Sequence, residues 1–128
     1  MFKSAHELVL EAKRYVEECS CDEISARIAS PKSLIIDVRE PDEYLQGHIA
    51  GSVNIPRGML EFKVSNEESL QDLQRPIIVY CKTSGRAALS VKALQYMGFQ
   101  NIVSLAGGFD AWVSEGHPIT KPHEISFE

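Results

Sequence analysis

The chain has 128 residues, 44% of them hydrophobic and 24% charged, a balance that fits one compact domain and excludes a disordered or fibrous polymer. Thirteen Lys and Arg against eighteen Asp and Glu give a net charge of -5, which repels nucleic-acid backbones and anionic membranes; neither is an expected partner, and an anionic ligand needs a local positive site. Cys19, Cys21 and Cys81 are too few and odd in number for a disulfide scaffold, so reduced thiols are expected.

From the N-terminus, Ser4 and Glu7 have capping-box spacing, and Leu8, Ala12, Tyr15, Val16 and Cys19 recur at helical intervals, which predicts an amphipathic helix over about residues 5–18. Charges from Lys3 to Arg14 interrupt any signal-peptide or membrane-spanning run, so a cytoplasmic protein is expected. Ser20 and Glu23 repeat the cap, with Ile24 and Ile28 on one face of a short helix that stops before Pro31. Residues 33–38 and 76–80 are short apolar runs rich in β-branched side chains, the pattern of strands buried on both faces. A third run covers 101–105, and a weaker one surrounds 52–55.

Helical patterns separate these strands: 41–46, an acidic segment from Ser65 with Glu68 at capping-box spacing, 87–97, and 109–115. In the longest, Leu89, Ala93, Tyr96 and Met97 share a face, and Gly98 falls where a left-handed cap is expected with Phe99 packing back. The acidic stretch Glu61 to Asp72 reads as a solvated helix face, and Lys121 to Glu128 as a mobile tail. Alternating strands and helices predict an α/β fold: a mostly parallel sheet of four to five strands, helices on both faces, and an extra N-terminal helix. Residues 1–18 form that extension and 19–128 the domain.

The stretch Ile77 to Ala88 carries the chemistry. A buried strand delivers Cys81 at its carboxyl end, where open α/β sheets bind ligands, and a helix begins at or just after Arg86. Unpaired amides and positive potential at a helix N-terminus favour an anion and a nucleophilic thiolate. Lys82 and Arg86 add two cations, and Thr83, Ser84 and Gly85 form a small loop whose amides can converge on one bound group. A buried, inert thiol would need none of these neighbours. Two reactions use such a loop. A cysteine phosphatase loop has five residues between Cys and Arg, followed by Ser or Thr, whereas four lie here and Ala87 follows. Sulfur transfer has to hold only one extra sulfur, so the shorter loop suits it.

At this point the residues resemble a family. Cys81 to Arg86 looks like the six-residue active-site loop of rhodanese-like sulfurtransferases. Asp37-Val38-Arg39-Glu40-Pro41-Asp42-Glu43-Tyr44 and Gly47-His48-Ile49-Ala50-Gly51-Ser52-Val53-Asn54-Ile55-Pro56 are similar to the rhodanese signature at every fixed position. Leu105-Ala106-Gly107-Gly108-Phe109-Asp110-Ala111-Trp112 resembles its C-terminal element, and the matches run in order over residues 20–118. One departure is Ser84 at the fourth loop position, where the family often has glycine; here glycine is fifth, as Gly85.

The resemblance implies that Cys81 attacks the outer sulfur of thiosulfate or another sulfane donor and holds a persulfide until a thiophilic acceptor, cyanide or a thiol on a small molecule or protein, removes it. The amides of Lys82, Thr83, Ser84, Gly85 and Arg86 would stabilise that persulfide, and the Lys82 and Arg86 side chains would orient a dianionic donor. No metal or organic cofactor is implied, and a monomer or weak homodimer is expected. Two alternatives stay open: a non-catalytic docking module of the same type, and a phosphatase or arsenate reductase on the same fold.

Other residues have plainer readings. Asp37 and Arg39 lie at the same sheet edge as Cys81, where Arg39 either binds substrate or pairs with Asp37 as a brace. His48 sits in a turn element, Trp112 behind a Gly-Gly turn reads as core, and Arg57 either adds positive potential or is plain surface. Cys19 and Cys21 are a poor zinc pair, because no histidine lies near them in sequence.

Overall fold

A computed structural model of the chain describes residues 1–121; residues 122–128, within the expected tail, lie outside the described residues. Five parallel strands, β1 (Glu18–Cys19), β2 (Leu34–Asp37), β3 (Val53–Asn54), β4 (Ile77–Tyr80) and β5 (Ile102–Leu105), form one sheet in the order β1-β5-β4-β2-β3. Around it lie α1 (Ala5–Lys13), α2 (Cys21–Ile28), α3 (Pro41–Gln46), α4 (Leu60–Asn66), α5 (Gly85–Tyr96) and α6 (Gly108–Ser114). This is the expected α/β class, with the extra N-terminal helix present.

Every residue of β2, β4 and β5 is buried, which is why their sequences are continuous apolar runs rather than alternating ones. Strand parity then sorts them into two layers. Ile77 and Val79 pack with Leu60 and Val64 of α4 and Val91 and Leu94 of α5. Ile78 and Tyr80 pack with Ile24 of α2 and Trp112 of α6. The same parity turns Cys81, one residue beyond β4, toward the α5 layer, and so toward the start of the helix that follows it.

Three expected elements differ. The N-terminal helix ends at Lys13, and Glu18–Cys19 pairs with Ser104–Leu105 as an edge strand. Val16 and Cys19 are both buried at a helical interval, but they belong to opposite layers of the sheet, which an extended chain achieves equally well. No helix starts at Ser65: α4 starts five residues earlier, driven by burial of Leu60 and Val64 at i, i+4, and only a 3-10 turn follows at Glu68–Leu70. The stripe Leu89, Ala93, Tyr96 and Met97 is not the core face of α5. The sheet takes Ala87, Val91 and Leu94, while the other stripe lines an apolar groove shared with Leu8 and Tyr15. Helix α5 therefore carries two apolar stripes because it is packed between the sheet and α1. Gly98 has φ +116 and the Phe99 N–H donates to the Leu94 carbonyl, as the cap pattern predicts.

Candidate active site

Cys81 is buried at the mouth of the sheet, and its Sγ accepts a hydrogen bond from the Ala87 N–H at 3.3 Å, in the first turn of α5. Two carbonyls of the loop are held from the other side: the Phe109 N–H donates to the Cys81 carbonyl at 2.8 Å and the Asp110 N–H to the Lys82 carbonyl at 3.0 Å. The amides of Lys82, Thr83, Ser84, Gly85 and Arg86 meet no protein acceptor among the described residues. With two of its carbonyls bound and its amides unspent, the loop keeps free donors at a helix N-terminus, which suits an anionic ligand on the sulfur. Gly107 and Gly108 make the approach of α6 possible, with φ of +75 and +62.

The two loop cations are both paired. Arg86 makes a bidentate ion pair with Glu43 of α3, at 2.7 and 3.1 Å, and Lys82 Nζ lies 2.8 Å from Asp110 on the surface. Neither is a bare charge waiting for a donor. Glu43 is a site residue that the reading of the loop missed. Its signal was present in the sequence, as the acidic position of the Asp37-to-Tyr44 motif. The Arg86 hydrogen bonds hold Glu43 down at about 2 against partial burial, and Glu43 in turn raises Arg86.

A carboxylate held below its ordinary value stabilises the fold fully above that value and loses the contribution as pH falls through its folded-state pKa. Glu43→Gln is expected to cost about 1 kcal/mol near neutral pH, since solvent screens this partly exposed pair. Thermal melts of both proteins should converge as pH drops from 4.5 toward about 2.

Lys13, from α1, is the second missed neighbour. Its Nζ lies 2.8 Å from Ser84 Oγ across 71 residues of sequence, a proximity that no local pattern reports. Asp37 and Arg39 are brought together as a brace. Arg39 donates from Nε and Nη2 to the Asp37 carboxylate and from Nη2 to the Gly47 carbonyl at 2.7 Å, and its guanidinium lies 4.3 Å from the Phe109 ring centroid. Burial works against the Arg39 charge, but Asp37 more than offsets it and the pKa rises. A shallow pocket bordered by Arg39, Glu43, Lys82, Phe109 and Asp110 opens beside the loop.

The remaining residues do not join the site. The His48 ring stacks on Tyr44 with centroids 3.7 Å apart, and its Nδ1 is 3.0 Å from the Tyr44 carbonyl. Trp112 is buried and donates to the Pro118 carbonyl, and Arg57 pairs with Glu61. Cys19 and Cys21 are free and buried; burial pushes both thiols up, Cys21 to about 11. The fold does bring Glu115 and His117 to Cys21, with candidate ligand atoms within 4.8 Å of one another, which sequence spacing hid.

The Rhodanese-like domain profile matches residues 20–115, three-quarters of the chain and the whole of the site except Lys13. The chain belongs to the rhodanese-like family of sulfurtransferases. A sulfurtransferase of Allochromatium vinosum is 30% identical over 108 residues, covering 84% of this chain and 97% of that protein. A solved polysulfide-sulfur transferase homodimer from Wolinella succinogenes superposes with TM-score 0.77 at 32% identity, covering 94% of this chain and 90% of its own. A Rhodopseudomonas palustris structure of unknown function, described as a possible tyrosine phosphatase, reaches TM-score 0.85 at 29% identity, covering 94% and 96%. Helix α1 lies before the matched segment, and Cys81 lies within it. Among the described residues, no helix is long and apolar enough to cross a membrane.

Proposed function

We propose that this chain transfers a sulfane sulfur from thiosulfate or a persulfide donor to a thiophilic acceptor through a persulfide on Cys81. The observation that carries the reading is the placement of Cys81 Sγ on the Ala87 amide inside a loop whose other amides are unspent. The Cys81 thiolate attacks the outer sulfur of thiosulfate, a new S–S bond forms, and the old one breaks with its electron pair leaving on sulfite. Loop amides take up the charge on the terminal sulfur. Cyanide or a thiolate then attacks that sulfur, carries it away and returns Cys81 as thiolate.

Phosphoryl transfer fits less well. A phosphoryl group needs its three equatorial oxygens cradled, yet the loop has four residues between Cys81 and Arg86, and the Arg86 guanidinium is already spent on Glu43. The test is intact mass after incubation with thiosulfate, then cyanide, beside a phosphomonoester assay. A gain of one sulfur, about 32 Da, that cyanide removes is the expected result. Phosphomonoester hydrolysis without sulfur uptake would reassign the site, and no uptake from any sulfane donor would make the domain a docking module.

A further inference from the structure

Among the described residues three serines stand at helix N-caps, and one behaves differently. Ser4 and Ser20 have extended backbones, with ψ of 161 and 163, and each Oγ accepts the N–H of the third helical residue, Glu7 at 3.1 Å and Glu23 at 3.2 Å. Ser84, at the start of α5, has ψ of -18 and makes no side-chain cap. Its Oγ instead accepts from Lys13 Nζ, a group with donors only. The third helical residue of α5 is Ala87, so the amide that Ser84 would take by the habit of Ser4 and Ser20 is the one bound to Cys81 Sγ. With the Ser84 Oγ turned to Lys13, that amide is bound by the cysteine sulfur alone.

We infer that Lys13 is a positioning residue for Cys81: by holding the Ser84 hydroxyl it reserves the Ala87 amide for the cysteine sulfur and leaves the Arg86 amide open to an anionic sulfur donor. This rests on the sulfur-transfer reading only for the identity of the donor. Helix α1 is fixed well enough for the task. Ala12 is fully buried, Gln95 Nε2 donates to the Tyr15 carbonyl at 3.1 Å, and a Cβ on Gly85 would sit 3.4 Å from Val9. Glu18, 3.7 Å from Lys13 Nζ, is the one acid paired with it among the described residues and steers the ammonium without displacing Ser84.

The experiment compares Lys13→Met, Lys13→Arg, Ser84→Gly and Lys13→Met with Ser84→Gly, reading the rate of sulfur uptake from thiosulfate and the rate of Cys81 alkylation by iodoacetate relative to iodoacetamide. Lys13→Met is expected to lower the uptake rate and the iodoacetate preference about fivefold, the size of one N-cap hydrogen bond. Lys13→Arg keeps both, because it still donates to Ser84. The double variant returns to the values of Ser84→Gly alone, since glycine has no hydroxyl to compete for Ala87. A double variant as impaired as Lys13→Met, or a Lys13→Met protein indistinguishable from the parent, would overturn the proposal; melting curves of the same four variants identify any that have merely lost α1. If the parent takes up no sulfur, the sulfur-transfer reading falls by itself, and the iodoacetate preference still decides the role of Lys13.

Discussion

Cys81→Ser is expected to take up no sulfur from thiosulfate while keeping its fold. The loss should be at least about 10⁴-fold in uptake rate, the scale seen when a covalent nucleophile is removed. A serine oxygen fills nearly the same volume and still accepts the Ala87 N–H, so the melting point should move by no more than about 1 kcal/mol in stability. Neither remaining thiol can substitute. Cys19 and Cys21 are buried in the layer on the far side of the sheet, and burial keeps their thiols protonated, Cys21 up to about pH 11. Intact mass of Cys81→Ser after thiosulfate checks this; one added sulfur on the variant would move the chemistry to another residue.

The position of Cys81 could be derived from sequence because it depends on short-range rules. Residues 76–80 are apolar and β-branched enough to require burial on both faces, and the Gly98 cap and the alternation of elements then fix a parallel sheet with the cysteine at its carboxyl edge. The two-residue strand at Glu18–Cys19 was hidden for the opposite reason. Two residues carry no period, and the burial of Val16 and Cys19 satisfies helix and strand alike. Charges were legible as residue types but not as partners. Lys82 and Arg86 look like free cations in the loop, and only the fold shows that Asp110 and Glu43 already hold them. The Lys13 contact with Ser84 depends on how α1 packs across α5, and tertiary packing of that kind leaves no local mark.

Gly108→Ala is expected to damage both stability and sulfur uptake, because two independent costs meet there. A φ of +62 charges an alanine about 1–2 kcal/mol, and the added Cβ would stand 2.3 Å from the Thr83 carbonyl oxygen and 2.6 Å from that of Cys81. Both are loop backbone atoms, and the Cys81 carbonyl is tied to the first turn of α6, so the relief must come from moving the loop itself, at another 1–3 kcal/mol or so. The sum, about 3 kcal/mol, corresponds to a fall in melting temperature of roughly 10 °C for a domain of this size. Gly116→Ala separates the two costs. Its φ is +79, but its Cβ would meet nothing within 4 Å, so it should lose only the backbone share and leave sulfur uptake unchanged. Gly108→Ala should in addition slow uptake, because the carbonyls it displaces belong to Cys81 and Thr83. Equal melting shifts in the two variants, or normal uptake in Gly108→Ala, would mean that the α6 backbone does not hold the loop in its reactive shape.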